Sequence, residues 1–571
     1  MVKFFEKHKN VLFIIALAFI CWGGLLSLRG IWWDDWAWVW QYFGTPSLHE
    51  FLIPFKNLHK QLEGILMYLF FKQFEVLHFN ATLAWNIIKF VIFLLSSLVL
   101  YRIVKAVDKN NSKLPEIIAG LYIVSPIVNN LCLVILPYHI ELFSFLVSVL
   151  FTLKSLQKDR FSKWYYISSI LLAAYSMISL NSYVFFEVIR ATLIFYSLSN
   201  IYAFKKPEAF KKTIILWAPF LIIGTGVMLY FATHPQTGSY AGTYKMQAMS
   251  IAHLKGIFDR YVITGQYLFN IYFYYALHNF IHVVHAVLKS YLLLLTVSIA
   301  VVAALFYGKC GDLSKEKSNT FLKYSIFGIF TSIVGYFPYA LVRDAAWLGI
   351  TSRHAILANL GVAITVGSVI CALYYRNKLT RIFSYLMFSV FILLGVLECR
   401  IVQDAYAQDW HQQQQFWVKF VSTIPDIKEN TFLIVDMPKI EEIYLGHWRG
   451  SYEFSAPLNL LYAKSRSIGE VNKNFAEWFN IITWRELPEK KADERDSFKG
   501  AQKFYPFNIL FVSYWNDVFA INKSADSPYQ KIKPVFVKEI LSRRTNNRII
   551  NTSKNDHFPL RWIIGYESPK K

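Results

Sequence analysis

The chain has 571 residues, of which 55% are hydrophobic, 18% aromatic and only 17% charged, with a formal net charge of +22. A soluble domain carries about 25% charged residues, so this composition excludes a disordered tail and a small disulfide scaffold and argues strongly against a soluble enzyme. It fits a polytopic membrane protein, whose lipid-facing surface leaves apolar area outside any core.

Apolar runs near the length needed to cross a bilayer recur through the first two thirds of the chain. They fall at about 11–29, 82–104, 115–136, 138–155, 164–181, 183–201, 213–232, 286–308, 321–341, 354–375 and 381–397. The first has a basic start but no small-residue cleavage site after it, so it is expected to stay as an anchor. Every second loop carries a Lys/Arg cluster: Lys3, Lys7 and Lys9; Arg102, Lys105, Lys109 and Lys113; Lys154, Lys158, Arg160 and Lys163. The pattern continues at Lys205, Lys206, Lys211 and Lys212, at Lys309, Lys315, Lys317 and Lys323, and at Arg376, Lys378 and Arg381. This alternation is the positive-inside pattern. It puts the N-terminus in the cytoplasm, and the basic clusters read as topology signals, not nucleic-acid patches. The loops at 30–81 and 233–285, and everything after 397, then face outward.

The first outward loop opens with Ile31-Trp32-Trp33-Asp34-Asp35-Trp36-Ala37-Trp38. Tryptophans favour the membrane–water boundary; carboxylates beside lipid do not, and their desolvation raises proton affinity. Asp34 and Asp35 therefore suit a general base, and equally suit the N-cap of a helix starting near Trp36. Farther along the loop, 61–78 is apolar but interrupted by Lys72 and Glu75. It reads as a juxtamembrane helix, with a twelfth span over 62–79 as the alternative. Tyr138-His139-Ile140-Glu141 opens the fourth span and sets an ionisable Glu141 at lipid depth. Asn181-Ser182-Tyr183 opens the sixth, where Glu187 and Arg190 are spaced for an intrahelical pair. In the second long loop, amphipathic 246–258 and aromatic 267–275 predict helices along the membrane surface. His278, His282 and His285 share a helical stripe, which suits either zinc or interface hydrogen bonds.

Tyr336-Phe337-Pro338-Tyr339 ends one late span, and Arg343 and Arg353 lie in the outward loop after it. Two outward arginines run against the positive-inside bias. Their planar forks suit phosphate oxygens; pairing with Asp344 or anionic headgroups is the alternative. Beyond 398 charge rises and apolar runs shorten to strand length, at 431–436, 507–512 and 561–565. Between them 408–420 places Trp410, Trp417 and Phe420 near one helical face. Residues 398–571 thus read as a small α/β domain outside the membrane, without a nucleotide fingerprint. Of Cys21, Cys132, Cys310, Cys371 and Cys399 none makes a CxxC pair, and no disulfide framework is expected.

The order of these features resembles the GT-C superfamily of membrane glycosyltransferases: a basic N-terminus, a first span, an outward Asp-Asp, surface helices, many spans and an extracytoplasmic C-terminal domain. Acidic residues in the first outward loop are that family's hallmark. His59-Lys60-Gln61-Leu62, with Tyr68, Phe79-Asn80 and Asn86, is similar to the stretch that follows them in many bacterial members, but lacks the Arg-Pro pair. Ser352-Arg353-His354 stands where members carry Ser-Arg-Tyr. The resemblance implies a GT-C-like unit of about 11 transmembrane helices over 1–397, followed by the outer α/β domain. It implies an inverting transfer of sugar from a polyprenyl-phosphate carrier to an extracytoplasmic glycan, lipid or protein acceptor, at the bacterial inner membrane. Asp34 and Asp35 would be catalytic, Arg343, Arg353, His354 and Lys60 would hold the donor phosphate, and Glu141, Tyr183 and Tyr339 would support the acceptor. No cofactor is certain; Mg²⁺ or Mn²⁺ between Asp35 and Glu141 stays open. An oligosaccharide polymerase or ligase, and a transporter, are the competing classes.

Overall fold

The structure is a computed structural model that describes residues 2–26, 38–39, 42, 47–57, 60–76, 81–108, 112–125, 136–156, 162–201, 204–234, 255–262, 296–300, 302–303, 315–341, 355–423, 431–436, 475–480, 508–515 and 518–521. Among the described residues, seven helices are long and apolar enough to cross a membrane. The chain is an α-helical integral membrane protein.

The helices are α1 (Val2–Trp22), α2 (Leu48–Phe51), α3 (Ile53–Asn57), α4 (Gln61–Val76), α5 (Ala81–Val107), α6 (Leu114–Val124), α7 (Leu136–Ser155), α8 (Lys163–Ser179), α9 (Ser182–Tyr196), α10 (Lys206–Thr233), α11 (Lys315–Ala340), α12 (Ile356–Arg376) and α13 (Lys378–Thr423). A 3₁₀ turn, Gly23–Leu26, extends α1, and a π turn, Ser197–Ile201, follows α9. The seven crossing segments fall within α1 with its 3₁₀ turn, α5, α7, α10, α11, α12 and α13. Each coincides with a span expected from the sequence.

The remaining expected spans stand differently. The run read over 115–136 is represented by α6, 11 residues long, and 126–135 lies outside the described residues. The runs at 164–181 and 183–201 are α8 and α9, of 17 and 15 residues. Most of 286–308 lies outside the described residues. The stretch at 61–78 is helical as α4, 16 residues long, and of the expected surface helices only 255–262 is described, as helix.

Position in the bundle follows from which faces are apolar. Every residue of α6 is buried, the pattern of a helix apolar all round. It packs against α1, α5, α12 and α13 and forms the centre. By contrast α10 is mostly exposed, with Ile215, Ile222 and Leu229 facing outward, so it lies at the lipid-facing edge. α11 and α12 share the most extensive helix–helix interface. Two hydroxyls inside α5 return to their own helix: Ser96 Oγ donates to the Ile92 carbonyl at 2.8 Å and Ser97 Oγ to that of Phe93 at 2.9 Å, so neither hydrogen is stranded in the apolar span.

One boundary differs from the sequence reading. The division near 398 falls inside α13, a 46-residue helix that runs without a break from Lys378 to Thr423. The apolar run over 381–397 and the amphipathic stretch over 408–420 are a single rod. Trp410, Trp417 and Phe420 are each buried, with Trp417 edge-on to Phe420 and Phe416 stacked on Phe420. The sequence shows a composition change at 398, but Glu398–Val402 carries no helix breaker, so the backbone continues.

Four strands follow: β1 (Thr431–Asp436), β2 (Phe475–Asn480), β3 (Asn508–Trp515) and β4 (Val518–Ile521). They form one mixed sheet in the order β2-β1-β3-β4. β1 runs parallel to both neighbours, in register from Thr431 opposite Asn508 to Asp436 opposite Ser513. β3 and β4 form an antiparallel hairpin. Parallel neighbours require crossovers, and the chain has 437–474 and 481–507 for them, outside the described residues. The runs read as strands at 431–436 and 507–512 are β1 and β3; that at 561–565 lies outside the described residues.

Candidate functional site

Asp34, Asp35, Arg343, Arg353 and His354 lie outside the described residues, as do His278, His282 and His285. Their flanks are described and are firmly held. Trp22, at the end of α1, donates from Nε1 to the Ile123 carbonyl at 3.1 Å. Gln403 of α13 donates from Nε2 to the carbonyls of Cys21, at 2.6 Å, and Cys399, at 2.8 Å. The ends of α1 and α6 and the middle of α13 are thus tied together where the chain enters the Trp-Asp segment. On its far side, Trp38 packs edge-on against Phe55 at 4.8 Å, and Tyr42 stacks on Phe71 at 4.8 Å. The late loop is closed in the same way: Ala340 and Ala355 lie in one buried cluster with Tyr336 and Ala358.

The four described candidates converge. Lys60 follows α3, its amide donating to the Phe55 carbonyl at 2.7 Å. Its ammonium donates to Glu63 Oε2 at 2.8 Å and lies 5.4 Å from the centre of the Tyr138 ring. Burial disfavours that charge, but Glu63, Tyr138 and Glu141 more than offset it, and Lys60 holds its proton well above the usual lysine range. Glu141, on the second turn of α7, is 1% exposed, and neither carboxylate oxygen has a hydrogen-bond partner among the described residues. It lies within electrostatic reach of Lys60 and Glu63. Tyr183, at the start of α9, reaches Glu141 and Tyr339; Tyr339, at the end of α11, reaches Lys60, Tyr138 and Glu141. Residues spread over nearly 280 positions therefore meet at one end of the bundle, the end at which α1 finishes.

Glu63 belongs to this cluster, and Lys89 and His139 form a second buried polar pair; none of the three was among the sequence-based candidates. Glu63 is buried and committed to Lys60. Lys89 is buried on α5 and lies within electrostatic reach of His139. His139 is 4% exposed, with Nδ1 unpartnered, and its ring lies 6.2 Å from that of Phe93, which stacks on Tyr122 at 5.6 Å. The sequence signals were a lysine inside an apolar span and the i, i+3 spacing of Lys60 and Glu63.

The Glu187–Arg190 pair has a different character. It is intrahelical, as its spacing indicates, with Arg190 Nε donating to Glu187 Oε2 at 2.6 Å and Nη2 to Oε1 at 2.9 Å. Arg190 also donates to Thr152 Oγ1 of α7 at 2.7 Å and to Ser169 Oγ of α8 at 3.3 Å. Phe220 of α10 covers its guanidinium at 4.2 Å. All of its polar reach goes to protein, so it braces four helices.

Among the described residues no three His, Cys, Asp or Glu side chains gather as a metal site. Glu141 presents oxygens of the kind Mg²⁺ takes, while Asp35 is not described. The fold and the cluster define a polytopic helical membrane protein with a buried polar site at one end of its bundle. No family model, no curated protein and no solved structure matches the chain.

Proposed function

We propose that this protein is an inverting glycosyltransferase that moves a sugar from a polyprenyl-phosphate carrier to an extracytoplasmic glycan, lipid or protein acceptor. The observation that carries the reading is the convergence of Lys60, Glu141, Tyr183 and Tyr339 at the end of the bundle where the Asp34-Asp35 and Arg343–Arg353 segments enter and leave. Asp35 is three residues from Trp38, which packs on Phe55 beside Lys60. The covalent chain keeps the two Cα atoms within about 11 Å. Arg353 is two residues from Ala355, which is clustered with Ala340.

In this reading Asp34 or Asp35 takes the proton of the acceptor hydroxyl as its oxygen attacks the anomeric carbon. The bond from that carbon to the phosphate oxygen breaks, configuration inverts, and the lipid phosphate departs with the electron pair. Arg343 and Arg353, with His354, stabilise its charge. The Lys/Arg clusters support a cytoplasmic N-terminus and a site at the outer face, in keeping with a bacterial inner membrane. The sheet-bearing region after 398 would be an outer domain that shapes the acceptor cleft.

The test is transfer from a polyprenyl-phosphate sugar by purified protein carrying Asp34→Asn, Asp35→Asn or both. One single variant and the double variant should lose 10²-fold or more of the rate, the scale of a general base. Full transfer by all three would refute the mechanism.

A further inference from the structure

The end of α1 meets the middle of α13 through a pair of groups that the proposed reaction does not use. Cys21, on the last turn of α1, and Cys399, on α13, are each 1% exposed and are unlinked thiols in the structure. They are about 380 positions apart in the chain, so spacing along the sequence does not reveal the pair. The Cys21 thiol is hydrogen-bonded to that of Cys399, and the Cys399 thiol donates to the Val124 carbonyl of α6 at 4.0 Å, a long contact even for sulfur. The two backbones are fastened at the same level. Gln403 Nε2 donates to the Cys21 carbonyl at 2.6 Å and to the Cys399 carbonyl at 2.8 Å, so one amide clamps both cysteines.

A buried cysteine ordinarily packs as a small apolar side chain. Cys371 has that character: it is buried on α12, within reach of Asp108 and Glu116 at the opposite end of the bundle. Cys21 and Cys399 differ, because each presents its sulfur to the other across a helix interface. A disulfide needs Cβ atoms about 3.8 Å apart and sulfurs that can close to about 2.05 Å. Sulfurs already in hydrogen-bond contact, on backbones already clamped, need little movement to reach that geometry.

We propose that Cys21 and Cys399 are a redox-active pair that closes into a disulfide, covalently joining the end of α1 to the middle of α13. The co-reactant is an exchange-active disulfide. One cysteine thiolate attacks it and releases one thiol, and the second cysteine then displaces the mixed disulfide and releases the other. Two cysteine S–H bonds and the reagent S–S bond are replaced by one protein S–S bond and two reagent S–H bonds, and two electrons pass to the reagent. Both thiols are buried, so exchange proceeds while α1 and α13 are locally parted, and the finished bond is shielded in the same way. On the orientation expected from the basic clusters the pair lies toward the outer face, where such oxidants are found.

The full-length protein in nanodiscs is warmed with oxidised glutathione, denatured in N-ethylmaleimide and mapped by mass spectrometry with and without reduction. Cys21 and Cys399 should escape the maleimide before reduction, emerge as one cross-linked peptide pair and be labelled after reduction, while Cys371 is labelled throughout. The oxidised protein should melt on the order of 5 °C above the reduced one, and this difference should vanish in Cys21→Ala. Labelling of Cys21 and Cys399 without reduction overturns the proposal. So does a cross-link from either one to Cys132 or Cys310, or a melting difference that survives Cys21→Ala. The mapping uses the wild-type chain, so it does not depend on a variant folding. No readout needs sugar transfer, so a failure here is separate from a failure of the Asp34 and Asp35 variants.

Discussion

At the scale of single residues, the most consequential side chain outside the site is Arg190. It is fully buried, paired in bidentate fashion with Glu187 and bonded to two further helices. Removing one partner of a buried pair leaves an uncompensated charge, at a cost of about 3–5 kcal/mol. Arg190→Met should therefore lower the melting temperature in detergent sharply, while Glu187→Leu with Arg190→Met should recover much of the loss. A double variant no better than the single one would show that Arg190 matters through its packing on Phe220 instead. Lys60 yields a prediction about pH. Its proton affinity is raised in the folded state, so the stability it contributes is complete below the unfolded lysine pKa and is lost only as pH rises above it. The Lys60–Glu63 pair should persist across the whole neutral range, and an inflection there in a pH–rate profile should survive Lys60→Arg. The sequence singled out Lys60 as a phosphate candidate and Glu141, Tyr183 and Tyr339 as acceptor or supporting residues, and the fold brings the four within electrostatic reach of one another. The i, i+3 spacing of Lys60 and Glu63 permits their ion pair, but the same lysine position equally suits a phosphate contact, so spacing alone does not choose between the two.

At the scale of helices, packing is decided by where a Cβ fits. A methyl group at Gly361 of α12 would run into the Ser332 backbone amide and the Gly328 carbonyl of α11. The closest helix pair in the molecule thus depends on the absence of one atom, as in other tightly crossed membrane helices. Gly226 of α10 has nothing within 4 Å of such a position. Gly361→Val should cut folded yield and melting temperature, whereas Gly226→Ala should leave both unchanged or raise them by the helix propensity it gains, about 1 kcal/mol. Equal effects of the two on thermal melting would contradict this account of the interface. These differences were not legible beforehand: both glycines sit in apolar runs, and only the neighbouring helix separates them. The runs themselves were plain, because an apolar stretch near 20 residues has few other uses. What hydropathy does not show is where a helix sits: all 11 described residues of α6, Glu116 among them, are buried by other helices.

At the scale of the whole molecule, the alternation of basic clusters predicts a topology with a cytoplasmic N-terminus. Single cysteines introduced at Asn110 and Lys205 in a cysteine-free background should react with a membrane-impermeant maleimide only after the cells are opened. Cysteines at Trp36 and Lys523 should react in intact spheroplasts. Labelling of Trp36→Cys only in opened cells would reverse the orientation and, with it, the proposed reaction. The composition change near 398 shows where charge density rises but not that the helix continues through it, since charge density and helical continuity are independent properties. Lys378–Thr423 is about 69 Å long at 1.5 Å per residue, against a hydrocarbon thickness of about 30 Å. Such a rod behaves as a drive shaft. Its amide grip on the Cys21 carbonyl fastens it to the end of α1, so a load applied at its far end would be felt at the membrane's edge by a helix nearly 400 residues earlier in the chain.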